Sequence, residues 1–584
     1  MIEPSRRGAL ASLVALVGSL AFWSFGKWTD PVIDFGYELY VPWRLSEGDV
    51  LYRDIAYRNG PLSSYWNALL FSIFGVSIRT LVVANLAILC ATTGLLFVLL
   101  ERVATRYAAL LGTALFLTVC AFSQYGNVGN YNFVTPYQHG QTHGVFLGLL
   151  VLTGLERGLR TQTGTPWAAA GTALGALFLV KAEVFVPALA TSAAAVYLAR
   201  PGERRARLTM LVSGAVVLPV LGFVALASAM PFTEALHSTA GNWPYLAGSI
   251  FGEGFYANNA GLDNPLRHGL RMIAACAGVL VLGCAAHFAD RAAPRLGDSA
   301  LALGAGLGLA LAASLDLPWE ATGRVLPVAM LVATIWFGRR ATRSNDARAK
   351  LTLLFSIYAL VMLGKLGLRS QVQHYGFALA APALALGATL ALGACRTTAA
   401  SAVLTAALVA VGARAWLDSD LIYSDKTFEL AGGLRAGDSI LVASPETSPR
   451  GAAVERALRQ LEPLLDDDRT LLVLPEGAGL NYWLRRRNPV PFGLFLPTEL
   501  AAHGGSLRML DRMTPTPPDF IALVHRGHAE FGTGPFLQDI ANGAAIGAWL
   551  HRDYHPVSTI GAEPFRGPHF GIVLLERNSG TSGR

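Results

Sequence analysis

Charge is scarce in this chain. Asp, Glu, Lys and Arg supply 15% of its 584 residues, hydrophobic residues supply 53%, and the mean hydropathy is +0.43. That balance excludes an ordinary soluble domain. The apolar residues fall in blocks of about 15 to 22, the length that crosses a hydrocarbon core. Cysteine is scarcer still. Cys90, Cys120, Cys276, Cys284 and Cys395 all lie in or beside apolar blocks, which excludes a disulfide framework and a zinc spacing. No convincing internal repeat is present, which counts against a transporter built from matched halves. The first apolar block, Gly8 to Phe25, has no obvious small-x-small cleavage site after it and reads as a retained span.

What is present is a polytopic α-helical membrane protein. Hydropathy gives about thirteen spans, near 8–26, 79–100, 107–122, 139–155, 167–180, 184–199, 209–229, 269–288, 299–315, 322–338, 351–365, 373–394 and 398–416. The net charge of +7 is therefore topology information, and no nucleic-acid partner is expected. With an odd count, the basic connectors (Arg6 and Arg7, Arg102 and Arg106, Arg200 to Arg207, Arg339 to Lys350) all fall on one side. The expectation is a multi-pass protein of the inner (plasma) membrane. Its N-terminus is cytoplasmic, and the first loop, the 123–138 and 231–268 loops and the C-terminal region are extracytoplasmic.

The organisation that follows is a membrane domain at 1–416, a small α/β domain at 417–577 and a disordered tail at 578–584. Past Leu417, apolar runs at 439–444, 470–477 and 519–525 read as strands, and 452–465 as an amphipathic helix. This region has no Gly-rich phosphate fingerprint and no Ser-centred elbow. It reads as a structural or acceptor-positioning cap.

The chemistry concentrates in the first outer loop, 27–78. It mixes Asp34, Glu38 and Arg58 with Tyr37, Tyr52, Tyr57 and Trp66, too aromatic for disorder. The expected form is a set of short amphipathic helices on the membrane surface, with Asp34 aimed into a cavity. Asp34 and Glu38 are four apart and share a helix face. A carboxylate among aromatics that limit water has a raised pKa and suits a general base; the plainer role is a cap or an ion pair with Arg44 or Arg53. In 129–144, Tyr131, Asn132, Tyr137, Gln138, His139, Gln141 and His143 are too polar to face lipid and suit the lining of a sugar or phosphate site. His139 and His143 lie one turn apart, but no third metal ligand is legible. Lys181 and Glu183 sit at the turn between two short spans, or deep in a single tilted one, where ionisable groups face a partner or a cavity. Lys365, Arg369 and His374 gather between two spans, where cations suit a phosphate or snorkel as anchors.

An Asp soon after the first span, the stretch LYRDIAYRNGPLSSYW, a span following FG, and a Lys-x-Glu at a later hairpin resemble the GT-C superfamily of polyprenyl-phosphate-dependent glycosyltransferases. The nearest-looking branch holds protein O-mannosyltransferases, aminoarabinose transferases and lipopolysaccharide-core transferases. The resemblance implies an inverting transfer from a polyprenyl-phosphate sugar to an acceptor hydroxyl on a glycan, lipid or protein. It implies Asp34 as the catalytic base and Arg58, Lys181, Arg267, Lys365 and Arg369 as candidate contacts of the leaving phosphate. Tyr131, Asn132, Tyr137, Gln138, His139, His143, Glu183 and His374 then line the sugar or acceptor site, with Glu38 and Tyr37 as second acid or acceptor contact. Many members carry Asp-Glu, whereas Phe35 follows Asp34 here, which leaves both the second acid and a divalent metal open. The alternative class is a flippase or transporter of lipid-linked sugars.

Overall fold

The computed structural model describes residues 3–578, apart from 28–29, 31, 127–128, 242, 244–253, 293–296, 298, 317–318, 426–427, 433–438, 444–448 and 466–467. Ser444 of the expected first strand and the expected disordered tail from 579 onward lie outside the described residues.

The chain is mostly helical, and each apolar stretch read as a span coincides with helix. In order these begin with α1 (Arg6–Ser24), which Ser5 caps by accepting the N–H of Gly8. Two loop helices follow, α2 (Asp34–Ser46) and α3 (Leu62–Phe74), and then α4 (Ile78–Val103) and α5 (Arg106–Leu115). Next come α6 (His139–Thr161), α7 (Thr165–Phe178), α8 (Ala182–Leu198) and α9 (Arg204–Ala227). The later helices include Pro265–Ala292, Leu326–Arg343, Ala347–Leu363, Ala381–Gly393 and Thr398–Asp425. Six helices among the described residues are long and apolar enough to cross a membrane by length and composition.

The stretch around Lys181 forms two helices. Lys181 is extended (φ −168°, ψ 140°) between α7 and α8, so it and Glu183 stand at a turn and not mid-helix. The first loop packs on that turn. The N–H of Gly60 donates to the carbonyl of Val180, and that of Leu62 to the carbonyl of Leu179, each at 3.0 Å. A Cβ at Gly60 would collide with the Leu179 carbonyl, so glycine is what lets the first loop approach the hairpin.

That loop forms short helices as expected, but α2 does not lie at a surface. Along α3, Trp66, Leu69, Ile73 and Phe74 are exposed, an apolar face suited to the membrane surface. In α2, by contrast, Phe35 to Trp43 are buried without a break. It is enclosed by α3 on one side and by the short helix Gly479–Leu484 of the C-terminal region on the other.

That region forms a small α/β layer. Strands β1 (Phe428–Gly432) and β2 (Ser439–Ala443) pair antiparallel apart from the main sheet. The main sheet has four strands: β3 (Leu471–Leu474), β4 (Phe520–Val524), β5 (Tyr554–Gly561) and β6 (Gly571–Arg577), in the order β3-β4-β6-β5. Within it, among the described residues, β3 and β4 run parallel, with Leu471 opposite Phe520. Alternation along these strands does the docking. Leu471, Val473, Phe520, Ala522, Ile572 and Leu574 join the hydrophobic cluster that runs through the helical bundle. Leu472, Leu474, Ile521, Val573 and Leu575 face a second cluster with Phe492, Phe495, Met509 and Trp549. Fully burying a Leu or Val contributes about 1.5–3 kcal/mol, so this shared core holds the sheet against the bundle. The last apolar helix also runs on to Asp425, past the expected boundary at 416.

Candidate active site

Where the first loop, the α7–α8 turn and the sheet meet, they enclose a cavity of about 700 Å³. Asp34, in the first turn of α2, faces into it, half-buried. Opposite α2, two residues of the sheet reach the same space. Glu476 follows β3 and Arg526 follows β4, so both stand just beyond the C-terminal ends of the two parallel strands, where open α/β sheets present their functional groups. Arg526 Nε lies 2.6 Å from Glu476 Oε1, and the guanidinium also pairs with Glu530. Burial pushes the Asp34 carboxyl up to about 8. The carboxylates of Glu476 and Asp30 add to the rise, while Arg526 and the backbone N–H of Asn130 oppose it. Asp30 is itself committed to structure: its Oδ1 accepts the N–H groups of Val32 (2.8 Å) and Ile33 (3.1 Å), and its other oxygen pairs with Arg450.

A second charged group occupies the wall formed by the α7–α8 turn. Glu183 takes Lys181 at 2.7 Å on one oxygen and Lys365 on the other. Gln141 donates to Glu183 at 2.8 Å and to the Tyr137 hydroxyl at 2.6 Å, while Lys365 lies 4.4 Å from the Tyr375 ring centroid. Two ammonium groups on one carboxylate leave one positive charge facing the cavity. Burial pushes Lys181 down to about 8, with Lys365 adding to the fall and Glu183 opposing it. Arg58 reaches the cavity from the first loop, paired with Glu499 at 2.9 Å. Aromatic rings fill the spaces between: Tyr131 packs at a tilt on His374 (centroids 4.7 Å), and Tyr37 stacks on Tyr57 (6.3 Å) and Phe255 on Phe531 (5.2 Å).

Most of the residues singled out from the sequence meet here. Asp34, Tyr37, Glu38, Arg58, Tyr131, Tyr137, Gln138, Lys181, Glu183, Lys365 and His374 all line the cavity. Five others do not. Asn132 is fully buried and caps its own loop, accepting the N–H groups of Val134 (2.9 Å) and Thr135 (2.7 Å). His139 and His143 stand behind the wall, His139 on Glu38 and Asn85, and His143 on Ser63 at 3.1 Å. Arg267 is exposed beside its capping Asn264, and Arg369 is held by Asn258 at 2.8 Å. Glu38 has a structural task as well, accepting the backbone N–H of His139 at 2.9 Å.

The carboxylates and histidines present do not assemble into a metal cradle: among the described residues no group of three or more His, Cys, Asp or Glu gathers. Sequence pattern alone does not single out Glu476, Arg526 and Glu530. Glu476 lies in LLVLPEG and Arg526 closes FIALVHR, both just past strands that the pattern marks; only the fold makes these strands parallel neighbours over Asp34.

Comparison with protein-family models gives no match, and comparison with curated proteins gives none either. Solved structures are similar at low identity. Archaeal oligosaccharyltransferase AglB from Archaeoglobus fulgidus, in complex with an inhibitory peptide and a dolichol-phosphate, is 14% identical, with a TM-score of 0.44 over 89% of this chain and 70% of that one. ArnT from Cupriavidus metallidurans bound to undecaprenyl phosphate is 14% identical, at 0.43 over 99% and 100%. Arabinofuranosyltransferase AftD from Mycobacteria is 14% identical, at 0.39 over 98% of this chain and 42% of that one. With TM-scores below 0.5, the functional reading rests on the cavity itself.

Proposed function

We propose that this protein is a membrane glycosyltransferase that moves a sugar from a polyprenyl-phosphate donor to an acceptor hydroxyl. One observation carries the reading: Asp34 and the Lys181–Glu183–Lys365 cluster stand on walls of one aromatic-lined cavity. In its ionised form Asp34 takes the proton from the acceptor hydroxyl as that oxygen attacks the anomeric carbon. The bond from that carbon to the lipid phosphate breaks, and the electron pair leaves with the phosphate. Lys181 and Lys365, with Arg58, stabilise the leaving anion. A single displacement of this kind inverts the anomeric carbon. Tyr131, Tyr137, Gln138 and His374 supply flat faces and hydrogen-bonding groups for the sugar. Glu476 and Arg526 set the electrostatics of the base from the sheet side.

In this reading the chain crosses the inner (plasma) membrane about thirteen times, with its N-terminus in the cytoplasm. The cavity and the 417–577 domain face the opposite side. The test is reconstituted protein supplied with a polyprenyl-phosphate sugar and an acceptor glycan, lipid or peptide. Release of bare lipid phosphate in step with glycosylated acceptor supports transfer. Movement of labelled lipid across the vesicle wall with no acceptor consumed would make the protein a flippase.

A further inference from the structure

Arg369, read from the sequence as a donor contact, stands off the cavity and belongs to a second cationic cluster. Arg324 lies near the end of the turn Trp319–Val325 and is only 7% exposed. Its Nη1 donates to the Leu368 carbonyl (3.2 Å), next to Arg369, and to His268 Nδ1 (3.4 Å), one helical turn before Arg271. Because His268 Nδ1 accepts, its proton sits on Nε2, which faces Asp263 Oδ1 at 3.4 Å. Asp263 is thus turned to His268 and is 43% exposed. Among the described residues no carboxylate pairs with Arg271, Arg324 or Arg369. A buried guanidinium beside two like charges is costly unless an anion joins it.

We propose that Arg271, Arg324 and Arg369 bind the phosphate of an anionic lipid, at a site separate from the catalytic cavity. Arginine forks match phosphate oxygens two at a time. The cluster also lies at the N-terminal end of the 28-residue helix Pro265–Ala292, whose dipole adds partial positive charge. Basic pockets between membrane helices take lipid head groups in this way. The partition from the cavity is thin. Ala260 and Leu262 line the cavity, while Gly261 between them backs onto Arg369 and His268, and the N–H of Leu368 donates to the Ala260 carbonyl at 3.0 Å. A lipid phosphate held here waits one chain segment from Lys365. The inference concerns binding alone and does not depend on sugar transfer.

The test uses the full chain in phosphatidylcholine nanodiscs, titrated separately with phosphatidylglycerol, with a polyprenyl phosphate and with inorganic phosphate, and counts bound molecules by native mass spectrometry. Arg271→Gln and Arg324→Gln are expected to weaken the bound lipid about tenfold or more. Arg291→Gln, at the far end of the same helix, should leave it unchanged. Arg271 is exposed, so its variant keeps the test open if Arg324→Gln fails to fold. Loss confined to phosphatidylglycerol identifies a bilayer lipid, and loss confined to polyprenyl phosphate identifies the carrier. Unchanged lipid binding in the Arg271 variant, or binding of inorganic phosphate alone, overturns the proposal. Either failure leaves the transfer reading standing, since no arm measures transfer.

Discussion

Glu38 holds the start of α6 through His139: its Oε2 accepts the backbone N–H at 2.9 Å and the ring Nδ1–H at 2.6 Å. On the far side of the ring, Asn85 Nδ2 donates to Nε2 at 3.1 Å, so Nδ1 is the ring nitrogen that donates to Glu38. A carboxylate one helical turn from Asp34 is therefore occupied in joining the first loop to the bundle. Glu38→Ala leaves both donors of a fully buried histidine without a partner, a loss of about 2–4 kcal/mol. Thermal unfolding should show that loss. The surviving folded protein should keep the wild-type pH dependence of transfer, and a displaced pH profile would instead make Glu38 part of the proton chemistry.

Asp34→Asn is expected to lower transfer by about 10²- to 10⁴-fold, the usual weight of a general base, without loss of fold. The raised carboxyl makes a further prediction. The native state holds the Asp34 proton up to about pH 8, whereas the unfolded chain releases it near the ordinary carboxylate value. The contribution to stability is thus present below about pH 4 and is lost as pH rises through about 8. Asparagine removes that penalty. At pH 8 the variant should be more stable than wild type by about 1–3 kcal/mol, allowing for solvent screening of a half-exposed group. Calorimetry at pH 5 and pH 8 checks the sign. A variant less stable at both values would mean that Asp34 is a structural acid.

The same group predicts how activity follows pH. A base must be ionised to act, so kcat/KM should rise towards a limb near pH 8. The charges facing Asp34 are Glu476, Arg526 and Asp30, with the N–H of Asn130 beside them. Glu476→Gln removes an anion that raises Asp34 and releases Arg526 to act on it, so the limb should move to lower pH by about one unit. A limb that stays in place would separate Glu476 from the reaction.

How much of this was legible beforehand differs between the two faces of the cavity. The helices, and charges at Lys181 and Asp34 that face a cavity, could be read because hydropathy blocks and ionisable groups beside them are local signals. The burial of α2 could not. Its partner, the Gly479–Leu484 helix, lies more than four hundred residues away, and a segment enclosed on every side has no polar stripe to display. Nor could the roles of Glu476 and Arg526 be seen, because they depend on β3 and β4 pairing in parallel across 45 intervening residues (475–519). His139 misled for the opposite reason. Histidines one turn apart look functional in sequence, yet here one is capped by Glu38 and the other rests on Ser63.

The Lys181–Glu183–Lys365 cluster separates binding of the leaving phosphate from support of the wall. Lys365→Met removes one of two cations and leaves Glu183 still paired with Lys181 at 2.7 Å. Folding should therefore survive while affinity for a polyprenyl phosphate falls by about 1.5–3 kcal/mol, the weight of a charged hydrogen bond. Glu183→Gln does the reverse. It leaves two half-buried ammonium groups without their shared anion and should destabilise the protein by about 1–3 kcal/mol, below the penalty of a fully buried pair. Added polyprenyl phosphate, supplying the missing charge, should restore part of that loss, growing with the logarithm of its concentration above Kd. Thermal shift with and without the lipid measures both variants. If the lipid stabilises Glu183→Gln no more than wild type, the two lysines do not face its phosphate.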